Sequence, residues 1–61
     1  MYDVILEAIR IGIRVSMWTD GRAFAIRCDK GQMHMQFFFD PVEQQEERYA
    51  RFIRQAIIQL G

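Results

Sequence analysis

The stretch Ala23–Cys28 sets Phe24, Ile26 and Cys28 in alternation with Ala23, Ala25 and Arg27. That two-residue period belongs to a strand with two unlike faces. Asp20-Gly21 precedes it and Lys30-Gly31 follows it, and both are short glycine-bearing turn signals. A strand bracketed in this way is the middle of a three-stranded antiparallel meander.

The flanking segments fit that frame. Ile13 to Trp18 reads as the first strand. With Asp20-Gly21 as a two-residue loop, Met17 is expected opposite Phe24, Val15 opposite Ile26 and Ile13 opposite Cys28. With Lys30-Gly31 closing the second hairpin, Cys28 faces Met33, Ile26 faces Met35 and Phe24 faces Phe37. Both hairpins, read separately, put apolar side chains on the same face.

A helix is expected at each end. Tyr2, Ile5, Leu6 and Ile9 fall at i, i+3, i+4 and i+7, opposite Asp3, Glu7 and Arg10, and Gly12 is a natural stop. Ile9, Ile11, Ile13, Val15 and Met17 also alternate, so a strand from Ile9 competes with a helix to about Arg10. The helix is the expected outcome, with the strand starting near Gly12. At the other end, Asp40 suits an N-cap, Pro41 a first helical position and Glu43 a capping box. Tyr49, Phe52, Ile53, Ala56, Ile57 and Leu60 then form the apolar stripe of a long helix. Its acids, Glu43, Glu46 and Glu47, lie early and its bases, Arg48, Arg51 and Arg54, lie late, in line with the helix dipole. The fold class is α+β: helix, three-stranded meander, long helix, in two layers with both helices on one sheet face. Residues 1–61 make one small domain.

This element order is also that of double-stranded-RNA-binding domains, but the likeness stops at the order. The opening of the second helix, Pro41-Val42-Glu43-Gln44-Gln45-Glu46-Glu47, sets acids where phosphate would have to dock.

Composition narrows the function classes. The chain has 61 residues, is 51% hydrophobic and carries 8 basic and 8 acidic residues. Zero net charge is a poor match for a domain that lives on nucleic-acid phosphates. A single cysteine, Cys28, excludes an internal disulfide, and a single histidine, His34, excludes a zinc site of the usual Cys/His kind. No cofactor or metal is expected. Small domains without such staples use a partner chain, which makes a homodimer the expectation. No apolar run reaches membrane-spanning length, and Met1-Tyr2-Asp3 lacks the basic opening of a signal peptide. A cytoplasmic protein with Cys28 reduced and no membrane partner is expected.

Candidate chemistry is sparse. A Cys28–His34 dyad fails on parity, because the two residues point to opposite sheet faces. Asp20, Asp29 and Asp40 read as turn or cap residues, and there is no glycine-rich phosphate loop. A non-enzymatic protein is therefore expected.

The outer sheet face is the odd surface. In the expected register its cross-strand rows are Trp18, Ala23 and Phe38; then Ser16, Ala25 and Gln36; then Arg14, Arg27 and His34. Arg14 directly opposite Arg27 disfavours folding unless an anionic group meets them. The plainer alternative is an untidy second face with arginine stems lying over alanines. The sharper reading is a binding face with aromatic anchors at one end and arginines at the other. Two function classes follow. One is a protein-interaction module, a small regulator or inhibitor of the kind phages and plasmids carry, dimeric through the outer sheet face or a sheet edge, which occludes a larger partner protein. The other is a nucleic-acid binder using the Arg14, Arg27 and His34 row with Trp18 as a stacking platform. The neutral charge disfavours the second.

Overall fold

The computed structural model describes residues 2–40 and 46–61. The chain runs α1 (Tyr2–Arg10), β1 (Arg14–Asp20), β2 (Ala23–Lys30), β3 (Met33–Phe39) and α2 (Glu46–Leu60). The strands form one antiparallel sheet in the order β1-β2-β3. α1 lies against β1 and α2, and α2 lies over β2 and β3. Val4, Ala8, Ile13, Ile26, Cys28, Phe39, Ile53 and Ala56 share one core, so both helices cover the same sheet face. The expected α+β architecture holds. The expected cap at Asp40, Pro41 and Glu43 involves residues 41–45, outside the described residues.

Residues 9–12 resolve as the end of a helix, and Gly12 is the reason. Its φ is +92°, a conformation that costs an L side chain about 1–2 kcal/mol. Gly12 N–H donates to the Ile9 carbonyl (3.0 Å) and Ile13 N–H to the Ala8 carbonyl (2.9 Å). Those two bonds are the Schellman closure of a helix, and Ala8 and Ile13 are both buried beside it.

The rotation of α1 differs from the sequence reading. The buried residues of α1 are Val4 and Ala8, with Ile5 packed against the core. Tyr2, Leu6 and Ile9 are exposed (72%, 43% and 55%). The apolar arc of this helix is wider than the surface available to it. α1 meets only β1 and α2, so the part of its apolar arc turned away from both stays exposed.

Both registers also differ from expectation, by two residues. Met17 pairs with Ile26 and Val15 with Cys28; Ile26 pairs with Phe37 and Cys28 with Met35. The loops are Gly21-Arg22 and Gly31-Gln32, closed by Asp20–Ala23 and Lys30–Met33. Glycine holds the first loop position, at φ +62° in each, and among the described residues no other residue type has positive φ. That is the sign pattern of a type II′ turn, whereas Asp20-Gly21 and Lys30-Gly31 as the loops put glycine second, as in type I′. A shift of two preserves parity, so the faces stay as expected while every partner changes.

The core is correspondingly adjusted. Ile26 and Cys28 are fully buried, while Val15, Met17, Phe24 and Met35 are partly so. Phe37, expected inside, is 47% exposed because it lies on the edge strand at the margin of α2. Phe39 takes its place. It is buried and stands 4.8 Å from Tyr49 and 4.7 Å from Phe37, centroid to centroid.

Replacing Ile26 by alanine is expected to cost about 2–5 kcal/mol, a large share of a small domain's stability, and thermal unfolding checks it. Gly12→Ala is expected to lose about 1–2 kcal/mol in a urea titration, although its Cβ would meet nothing closer than Lys30 Cε at 3.9 Å.

Candidate functional site

The outer sheet face takes its character from β1 and β2, whose even- and odd-numbered residues respectively point away from the helices. In the observed register its rows are Trp18, Ala25 and Phe38; Ser16, Arg27 and Gln36; Arg14, Asp29 and His34. Ala23 pairs with Asp20 at the hairpin end. All seven expected site residues lie on this face, but their neighbours are not those expected.

At one end, Trp18 and Phe38 meet edge to face at 6.2 Å across Ala25. They are 36% and 44% exposed, while Ala25 beneath them is fully buried. Ala25 is therefore corrected from a contact residue to the floor under the two rings. Its small side chain lets the rings close over the sheet.

At the other end, the expected row of like charges does not exist. Arg14 is opposite Asp29, and Arg27 sits between Ser16 and Gln36. Arg27 Nε donates to both carboxylate oxygens of Asp29, at 2.9 and 3.1 Å. The two residues are two apart on β2, so the pleat puts both on this face. Their side chains are 41% and 27% exposed, which keeps the pair solvent-screened and its stabilisation small. Asp29 is the site residue that the sequence reading missed, having been assigned to a turn. The signal was present: an acid opposite Arg14 removes the repulsion that Arg14 opposite Arg27 would create.

An open groove of about 610 Å³ runs along this face from Trp18 past Ser16, Arg27, Asp29 and Arg14 to Gly12 and Gly31. It is apolar and aromatic at one end and carries paired charges at the other. His34 is exposed on this face, while Cys28 is fully buried on the opposite one. Burial pushes the Cys28 thiol above its ordinary value, and the Asp29 carboxylate adds to the shift. A raised thiol is a poor nucleophile. Among the described residues no group of three His, Cys, Asp or Glu side chains is placed to hold a metal ion. No helix among them is long and apolar enough to cross a membrane.

Comparison with family models, curated proteins and solved structures finds no match.

Arg14→Glu places a second carboxylate beside Asp29 and is expected to destabilise the fold by a few tenths to about 1 kcal/mol in urea unfolding. Cys28 is expected to react with a thiol reagent at the rate of unfolding rather than at the rate of an exposed thiol. Because its folded proton is held more tightly, stability is unaffected at neutral pH. It declines above about pH 8.5, where the unfolded thiol ionises first.

Proposed function

We propose that this chain is a non-enzymatic protein-interaction module that works in the cytoplasm as a homodimer. Its outer sheet face meets a larger protein and blocks a site on it, in the manner of the small regulators and inhibitors of phages and plasmids. The observation that carries this reading is the exposed Trp18–Phe38 pair on the helix-free side of the sheet. Two large aromatics held in fixed geometry by a buried alanine form an anchor whose ordering cost is met on folding. The Arg27–Asp29 pair, with Arg14 and His34 beside it, supplies a polar rim of mixed sign.

The same rim argues against the nucleic-acid alternative. Asp29 is opposite Arg14 and bonded to Arg27, so the expected basic row has its own acid within it. A phosphate backbone would have to compete with that carboxylate.

The partner protein retained by the parent chain in affinity capture is expected to be lost by Trp18→Ala. The loss expected is about 2 kcal/mol, or thirtyfold in affinity, with the circular dichroism spectrum of the variant unchanged. A variant that is folded and still binds would move the interface off this face. A steeply salt-dependent shift of Trp18 fluorescence with bulk nucleic acid would favour the alternative.

A further inference from the structure

The β3 edge lacks the devices that normally keep an exposed strand from pairing. None of the eight basic or eight acidic residues falls within Met33–Phe39, and neither does the proline. The opposite edge, β1, carries Arg14 and Asp20. Met33, Phe37 and Phe38 on β3 are 55%, 47% and 44% exposed.

Beside the edge, a groove of about 320 Å³ opens between Phe37 and Phe39 on the strand and Arg48, Arg51, Phe52 and Gln55 on α2. A fourth strand laid along β3 would border this groove.

The strand's own sequence suits that place. The pair closing a two-residue hairpin loop is hydrogen-bonded, and such pairs alternate along an antiparallel ladder. Counted from Lys30–Met33, the residues turned toward β2 are Met33, Met35, Phe37 and Phe39. His34, Gln36 and Phe38 turn their N–H and C=O groups outward. An antiparallel copy joins those groups when Gln36 meets Gln36 of the second copy and His34 meets Phe38 of the second copy. The same register sets Met35 beside Phe37 and Met33 beside Phe39, so apolar core-face residues meet and no like charges face each other.

From this we infer that two copies pair edge to edge through β3 about a two-fold axis at Gln36, making one six-stranded antiparallel sheet. Met33 and Met35 of the second copy extend the apolar row toward the groove between β3 and α2. The inference rests on the dimeric part of the function proposed above and names the surface that makes the dimer. It leaves each Trp18–Phe38 face open to a partner, and places His34 of one copy beside Phe38 of the other.

The test is light-scattering chromatography of the full chain from micromolar to millimolar concentration. The parent is expected to run as a dimer, and Trp18→Ala as the same dimer. Gln36→Pro removes an outward N–H at an edge position where proline is tolerated, and is expected to give a folded monomer. Gln36→Cys is expected to oxidise to a disulfide-linked dimer at least tenfold faster than Thr19→Cys on β1, because a hydrogen-bonded pair brings the α-carbons within disulfide range. If Gln36→Pro does not fold, the cysteine pair decides. A monomeric parent overturns both the dimer and its edge, leaving β3 to a strand of a different protein. A dimer that survives in folded Gln36→Pro, or dissolves in Trp18→Ala, or links no faster at Gln36→Cys, overturns the edge alone.

Discussion

Two helices close one small core on three strands, and the size of that core governs the molecule. The helices find enough apolar surface to close a core around Ile13, Ile26, Cys28 and Ile53, all at or near full burial. They do not find enough to cover their own apolar arcs. On one side α1 is left with Tyr2, Leu6 and Ile9 outside; on the other, Met33 and Phe37 of β3 stay half-exposed and a groove opens between Phe37 and α2. Larger proteins bury a greater share of such margins. A chain this short keeps them, and its exposed apolar residues concentrate there for that reason. The exposure is thus a consequence of the architecture before it is a sign of function, which is why the charge-free sequence of β3 matters as a separate observation.

Within the sheet, faces and partners are fixed by different things. Faces follow from the alternation of apolar residues and survive any even shift of register. Partners follow from the turn. Glycine at φ +62° in the first loop position sets both hairpins, and through them every cross-strand neighbour on the outer face. Moving glycine by one place in the loop would exchange Asp29 for Arg27 as the partner of Arg14. The same change would slide Trp18 from Ala25 to Ala23. A small choice of turn geometry thus separates a mixed-charge rim from a basic row.

This explains what was legible in the sequence. Element order, sheet topology and the identity of the two faces follow from alternation, from the helical stripe over Tyr49–Leu60 and from Gly12. These are strong local signals that agree with one another. The register was not legible from loop composition, since Asp-Gly and Lys-Gly fit either turn type. It was legible from charge: only the shifted pairing gives Arg14 an acid. The rotation of α1 was hidden because its apolar arc covers more than half a turn, so periodicity alone leaves several orientations open. Packing of Val4, Ile5 and Ala8 in the core against β1 and α2 chooses among them. Ala25 as a floor under two rings follows from the register and from nothing earlier.

The claim on which the rest turns is that β3 is the edge left for another strand. Residue-resolved amide hydrogen exchange tests it most directly, because it reads the outward N–H groups themselves. On β3 these belong to His34, Gln36 and Phe38; on β1, by the same alternation from Asp20–Ala23, they belong to Val15, Met17 and Thr19. The account expects the three β3 amides to be protected at millimolar protein and to lose protection on dilution, while the three β1 amides exchange quickly throughout. Equal, fast exchange on both edges at every concentration would contradict it.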